Sequence, residues 1–257
     1  MKFINNSLDL SELNKSFNDP NKPYKYVVID NFFNKEDCDR FSDSHPTPTD
    51  KRWFKFRDKI KGKKNIFEQK MIGIAHPDSL PKECYNIIKE LTSQNFVDML
   101  EKITGIEGIL NDTYNEIGQW SGVRGMFPGA YQSIHSDARK HPFLGIEKKI
   151  TLIGYLNKEW KEDDAGYTEV WTNDMSTCYE RVNPLYNRVM IFENTEKSYH
   201  GVPEVNCYRK TFLTAYLKDT KDFKETRPKA KFVARPEENN PELWDKLSQE
   251  RAHLTDY

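Results

Sequence analysis

His135-Ser136-Asp137, then His200, then Arg209 are the residues of this chain whose types and spacing could do chemistry. Two imidazoles and one carboxylate can occupy one face of an octahedral Fe(II), leaving three positions for a bidentate co-substrate and O2, an opening that a closed four-ligand zinc site does not offer. The spacing suits a strand. In Tyr131-Gln132-Ser133-Ile134-His135-Ser136-Asp137 the odd-numbered side chains share a face, so His135 and Asp137 project the same way from backbone positions roughly 6.5–7 Å apart.

The tripeptide alone says little, because six His and 40 acidic residues in 257 give roughly one His-x-acid by chance. His76-Pro77-Asp78 has the same spacing. There Pro77 removes a ladder donor, Ser79-Leu80-Pro81 continues a loop signal, and no His/Arg pair follows, so His76 reads as a loop histidine. His200 lies in Ser198-Tyr199-His200-Gly201-Val202-Pro203, where an antiparallel roll could return it to His135 and Asp137.

Arg209 opens Arg209-Lys-Thr-Phe-Leu-Thr-Ala-Tyr and shares a strand face with Thr211, Leu213 and Ala215. If that face is inward, Arg209 is a buried cation that needs an anion, and a carboxylate fits its planar fork best. Tyr155, on one face with Thr151 and Ile153, could assist Arg209 through its hydroxyl. A lone tyrosine in such a strand is more often core with a satisfied hydroxyl.

The elements that must position these residues follow from pattern. Tyr24 to Phe33 reads as a strand, and Asn34 is a plausible N-cap for the helix that follows. Pro81 to Ile103 has helical periodicity with a break near Thr92-Ser93. Beyond about residue 115 short β-branched and aromatic runs alternate with Gly, Pro, Asn and Asp, giving strands over Tyr131–Asp137, Lys149–Leu156, Tyr167–Trp171, Arg188–Phe192 and Lys210–Leu217, with Glu180–Val182 as a further candidate. Strands at this spacing argue for an antiparallel sandwich or jelly roll. A peripheral helix is expected over Pro241–His253. The chain divides into an N-terminal strand with supporting helices (1–110), a catalytic core (111–220) and a charged C-terminal extension (221–257), integrated in one domain.

Composition bounds the rest. An apolar fraction of 37% against 31% charged, with 15 Phe, 13 Tyr and 5 Trp, describes a polar surface over an aromatic-rich core. No apolar run is long enough to span a bilayer, and the amino terminus lacks a signal-peptide stretch, so residence in the cytoplasm is expected. Cys38, Cys84, Cys178 and Cys207 are scattered, as free thiols would be. A net charge of −1 exerts no long-range pull on nucleic acid or acidic membranes.

The ordered series of motifs resembles the 2-oxoglutarate/Fe(II)-dependent oxygenases, specifically the prolyl-4-hydroxylase-like branch that includes the hypoxia-sensing prolyl hydroxylases. The likeness runs from about Ile103 to Leu217: Thr104-Gly105-Ile106 with Asn111-Asp112, the His135–Asp137 strand, Lys148 through Trp160, Gly166 through Trp171, Asn183 through Phe192, and His200-Gly201-Val202-Pro203 leading to Arg209. A weaker likeness covers Val27 to Phe32. The resemblance implies that His135, Asp137 and His200 bind iron, that Arg209 and Tyr155 hold the distal carboxylate of 2-oxoglutarate, and that Thr211 supplies the small hydroxyl often found there. It implies a mainly β fold with a helical annex: a distorted double-stranded β-helix, or jelly roll, with helices packed on one sheet. Ala165-Gly166 departs from the Gly-Gly of many relatives, and Ala fits there if its φ is negative.

The implied activity is hydroxylation of an unactivated C–H, best a peptidyl proline, by an Fe(II), 2-oxoglutarate and O2 reaction that releases succinate and CO2, with ascorbate as a conceivable reductant. The presence of Asp137 favours hydroxylation over halogenation. The alternatives are the same chemistry on a free amino acid, sugar or natural-product intermediate, or a jelly-roll module that binds metal without turnover. The partner is therefore a protein, peptide or small molecule rather than nucleic acid or membrane, and the oligomeric state stays open. The stripe Trp53, Lys55, Arg57, Lys59 and Lys61 reads as a solvated edge before it reads as a grip on an acidic partner. Arg124 and Trp171 are candidates for the pocket mouth.

Overall fold

A computed structural model of the chain describes residues 1–56, 59–60, 63–111, 121–141, 144–221, 223 and 230–252. Arg57, Lys61, Asp112 and His253, named above, lie outside them. The chain begins with α1 (Leu10–Phe17), β1 (Tyr26–Ile29) and α2 (Lys35–Ser44), then the short β2 (Phe54–Lys55), β3 (Lys59–Ile60) and β4 (Lys63–Lys64), β5 (Glu68–Ile74), α3 (Lys82–Leu91) and α4 (Gln94–Thr104). The β-rich part follows: β6 (Gly122–Ser136), β7 (Glu147–Tyr155), β8 (Thr168–Trp171), β9 (Cys178–Val182), β10 (Val189–Glu193), β11 (His200–Val202) and β12 (Arg209–Lys218), closed by β13 (Lys231–Phe232) and α5 (Pro241–Ala252).

Strand order is β1-β10-β7-β12-β6-β11-β8-β9, every pairing antiparallel, with β5 and β13 on the other edge of β6. This is the mainly β, double-stranded β-helix architecture, with helices against one sheet. The expected strand Tyr131–Asp137 is the second half of a longer one. Residues 122–126 of β6 pair with β12, and residues 132 and 135 pair with β11. Between the halves Phe127-Pro128-Gly129 turns a corner, with Gly129 at φ +77. Proline and glycine there mark a strand changing sheets rather than a strand end.

The helices pack where strand alternation sends large side chains outward. Phe212 and Tyr216 of β12, Ile150 and Leu152 of β7, and Val189 and Ile191 of β10 share one core with Phe33, Phe41, Leu91, Phe96 and Leu100. Each fully buried side chain of this kind contributes roughly 1.5–3 kcal/mol. Tyr216 also donates its hydroxyl to the Leu91 carbonyl at 2.8 Å. Met190 and Phe192 point the other way, into the barrel with Tyr24, Tyr26 and Tyr155. That is why β10 is apolar on both faces.

Two local expectations are corrected, and a third holds in position only. Asn34 is the N-cap of α2 as expected but makes no side-chain cap; its amide donates to the Lys2 carbonyl at 3.1 Å, and its own backbone carbonyl receives the N–H groups of Asp37 and Cys38. The described residues of the stripe that starts at Trp53 do not share one pairing: β2 pairs with β5 while β3 and β4 pair with each other, and the Trp53 indole N–H donates to the Thr47 carbonyl, its ring packed on the main core. Packing of that partly buried ring against the core outweighs the alternation that grouped it with the lysines. Ala165 has φ +52, not a negative value. The helix break at Thr92-Ser93 is as expected, with the Ser93 hydroxyl capping α4.

Candidate active site

Cross-strand register brings the two histidines together, His200 of β11 lying directly opposite His135 of β6. Their ring centroids are 4.4 Å apart. Asp137, just past the end of β6, places Oδ1 3.3 Å from His135 Nε2 and 4.0 Å from His200 Nε2. One ligand atom from each of the three lies within 4.8 Å of the others, the one such cluster of metal-ligand type among the described residues.

The rings are oriented for this. His135 Nδ1 faces the Ser133 carbonyl at 2.9 Å, and His200 Nδ1 faces the Ser198 carbonyl at 2.9 Å. A carbonyl only accepts, so each ring donates from Nδ1 and turns its Nε2 toward Asp137. Burial, with the neighbouring His135, lowers His200 to about 4, which keeps it an unprotonated donor at neutral pH. Burial alone would raise the Asp137 carboxyl; Lys148 and the two histidines overcome it and hold Asp137 well below the usual carboxylate range. Lys148 Nζ sits 2.5 Å from Asp137 Oδ2.

Deeper in the barrel, Arg209 is buried and donates from Nε to the Gly166 carbonyl at 2.7 Å, from Nη2 to Thr168 Oγ1 at 3.4 Å, and from Nη1 to the Met126 sulfur at 3.5 Å. Among the described residues no carboxylate reaches it within ion-pair distance. Burial lowers its pKa, the Tyr155 beside it opposing. The Tyr155 hydroxyl is 2.8 Å from Thr168 Oγ1, and burial raises its pKa against the pull of Arg209. Thr211 is buried opposite Tyr155 in the ladder. Arg209, Tyr155 and Thr168 thus form a buried cluster of donors with no carboxylate beside it among the described residues. This cluster fits a carboxylate co-substrate, and the His135/Asp137/His200 set fits Fe(II).

Sequence reasoning missed Thr168, Lys148, Tyr24 and Phe232. Tyr24 donates to the Tyr199 carbonyl at 3.2 Å, and burial together with the Asp137 charge raises its phenol far above the ordinary value. Phe232 of β13 lies on the His135 ring at 5.1 Å. Of the two mouth candidates, Trp171 is buried and donates its indole N–H to Glu169 at 3.2 Å, while Arg235 grips Glu169 at 3.2 and 2.7 Å and covers the indole. The Arg124 guanidinium lies near the rings of Phe54 and Phe56, 5.8 and 6.0 Å from their centroids, and burial lowers it to about 10. His76 is, as expected, a loop residue, its Nδ1 accepting from the Asp78 N–H at 3.3 Å.

A jelly roll holding two histidines and an aspartate at one end of a β6/β11 pair, with a buried arginine behind them that meets no carboxylate among the described residues, is the arrangement expected of a non-haem iron oxygenase. Residues 122–218, from the first residue of β6 to the last of β12, match the model of the 2OG-Fe(II) oxygenase superfamily. That match, together with the His135/Asp137/His200 cluster, indicates an oxygenase of dioxygenase/hydroxylase type that uses Fe(II) and 2-oxoglutarate. No curated protein matches the chain.

Solved structures share the fold. A prolyl hydroxylase from Trichoplax adhaerens, solved with a hypoxia inducible factor peptide fragment, superposes with a TM-score of 0.57 at 16% identity, over 82% of this chain and 90% of that one. A Pseudomonas putida prolyl-4-hydroxylase gives 0.55 at 10% identity, over 81% and 98%. A 2OG-Fe(II) oxygenase family oxidoreductase from Burkholderia pseudomallei gives 0.55 at 12%, over 82% and 92%. At these identities the likeness is one of fold. Among the described residues no helix is long and apolar enough to cross a membrane.

Proposed function

We propose that this protein hydroxylates an unactivated C–H of a peptidyl proline, with His135, Asp137 and His200 as the iron ligands and Arg209, Tyr155 and Thr211 at the co-substrate. The observation that carries the reading is Arg209, a buried cation with hydrogen-bond partners but no carboxylate partner among the described residues, on the inner face of the same barrel as the three-donor cluster. A guanidinium buried without an anion costs several kcal/mol, which a dicarboxylate bound at its fork offsets.

When bound, Fe(II) with 2-oxoglutarate and O2 supplies the oxidant for the C–H, with succinate and CO2 as co-products. The chain's own part is positional. Arg209 and the Tyr155 hydroxyl fix one end of the dicarboxylate, and the Nε2 atoms of His135 and His200 with Asp137 Oδ1 face the metal position. Phe232 and Phe192 press on the two imidazoles and exclude water from that side. A peptide substrate is supported by the Trichoplax adhaerens fold relative, which holds a peptide fragment. The four free thiols fit a reducing compartment, and we place the enzyme in the cytoplasm.

The test begins with anaerobic titration of the Fe(II)-loaded protein by 2-oxoglutarate, following the visible charge-transfer absorption of the chelate. A saturable band absent from Asp137→Ala and His200→Ala is the expected result. Succinate release is then measured against proline peptides and against pools of amino acids, sugars and other metabolites. Stimulation by a peptide supports the proline reading, and stimulation only by a small molecule replaces it. Iron binding with no band sinks the oxygenase reading.

A further inference from the structure

Lys148 reaches the site through a break in strand alternation. From Tyr155 back to Thr151, the odd-numbered residues of β7 face the barrel interior. Opposite β12, Ile150 pairs with Tyr216 but Lys148 pairs with Leu217, so Lys149 is left over as a bulge and the phase of β7 reverses. A bulge of this kind re-aims the side chains beyond it. Lys149 turns to Glu193, 2.8 Å away, whereas Lys148 enters the interior with its side chain 5% exposed and its ammonium on Asp137 Oδ2.

The two oxygens of Asp137 are therefore divided: Oδ1 faces the imidazoles and Oδ2 is held by Lys148. A free carboxylate can grip a divalent ion through one oxygen or both. With two imidazoles and one carboxylate oxygen, an octahedral ion keeps three open positions; with both oxygens it keeps two, too few for a bidentate co-substrate and O2 together. Resting on the metal-site reading above, we infer that Lys148 is a positioning residue that keeps Asp137 a one-oxygen ligand and so preserves the third open position.

The role predicts opposite effects on two equilibria. Lys148→Met removes a cation that competes for the carboxylate, so metal should bind about tenfold tighter. The second carboxylate oxygen then occupies a co-substrate position, and 2-oxoglutarate should bind the metal-loaded variant about tenfold more weakly. A merely structural lysine would weaken both.

The experiment measures Co(II) affinity by calorimetry, the Co(II) visible spectrum, and 2-oxoglutarate affinity of the Co(II) protein, for wild type, Lys148→Met and Lys148→Arg. Tighter metal binding, a changed spectrum and weaker 2-oxoglutarate binding in Lys148→Met, with Lys148→Arg near wild type, supports the inference. Should Lys148→Met not fold, Lys148→Gln carries the same readings, since its amide has no charge to compete with the metal. Unchanged or uniformly weakened affinities in a folded variant overturn the role of Lys148 alone. A wild-type protein that binds no Co(II) overturns the metal-site reading and this inference with it.

Discussion

Phe232 lies against the ring of His135, with centroids 5.1 Å apart and planes 30° from parallel. A residue from the far end of the chain thus forms one wall of the site. Its own position is fixed by β13 pairing with His135 and Ser136, by stacking on Phe67 at 4.7 Å, and by Ser248 of α5, whose hydroxyl receives the Phe232 N–H at 3.1 Å and donates to its carbonyl at 2.8 Å.

Phe232→Ala should therefore cost about 3–5 kcal/mol of stability, as expected for a fully buried aromatic. Iron affinity should fall with it, because the His135 ring loses its support. Phe232→Leu should cost under about 2 kcal/mol. Urea midpoints and metal titrations of both variants check this; a Phe232→Ala protein as stable as wild type would mean that β13 does not hold its place.

Arg209→Met should leave the stability of the metal-free protein within about 1 kcal/mol of wild type, because the lost hydrogen bonds to Gly166, Thr168 and Met126 are offset by removal of a buried charge. Iron should still bind. In the wild type, 2-oxoglutarate at a hundred times its Kd should stabilise the iron-loaded protein by about 2.7 kcal/mol, and this should vanish in the variant. Thr168→Val, which takes a partner from both Arg209 and Tyr155, should weaken 2-oxoglutarate binding roughly five- to a hundredfold, corresponding to about 1–3 kcal/mol. Isothermal titration reads both.

Ala165 sits at φ +52, ψ −140, a region that suits glycine, in the turn whose next carbonyl, Gly166, anchors Arg209. Such backbone costs an alanine about 1–3 kcal/mol, while glycine costs roughly 0.5–1 kcal/mol more in chain entropy. Ala165→Gly should therefore raise stability by about 1 kcal/mol, read as a higher denaturant midpoint. A lower midpoint would show that the turn is unstrained.

His45 is buried between α2 and the sheet, its Nδ1 3.2 Å from the Pro46 carbonyl and its Nε2 3.1 Å from the Arg124 carbonyl, and burial lowers it to about 4. The unfolded chain binds a proton near 6.5, and the folded one does not until about 4. Protons thus favour unfolding, and the stabilising difference is full above 6.5 and lost as pH falls from 6.5 through 4. Over that window the loss should approach roughly 3 kcal/mol. Folding free energies of wild type and His45→Gln from pH 4 to 7 should converge at the acid end; parallel curves would show that His45 contributes no such term.

How much of the site was legible depends on the range of the signal. His135 and Asp137 share a face because a strand repeats every two residues, and the same count puts Arg209 on one face with Thr211, Leu213 and Ala215 without saying that this face is inward. Thr168 could have been found that way, since it shares a face with Val170, yet nothing local ties its hydroxyl to Tyr155, 13 residues before it. Lys148 was hidden for a stronger reason: simple alternation from Tyr155 puts Lys149 inside, and only the pairing with β12 reverses the phase.

The sequence by itself determined the donor types, the i, i+2 geometry of His135 and Asp137, the two-faced apolar strands and the placing of the helices, all consequences of local periodicity and side-chain chemistry. The tertiary structure alone decided that His200 stands opposite His135, that β6 turns a corner at Gly129 instead of ending, that a bulge delivers Lys148 to Asp137, and that Phe232 closes the site. Those depend on which strand pairs with which and in what register, and register is set by distant partners burying their faces together, not by the residues of either strand.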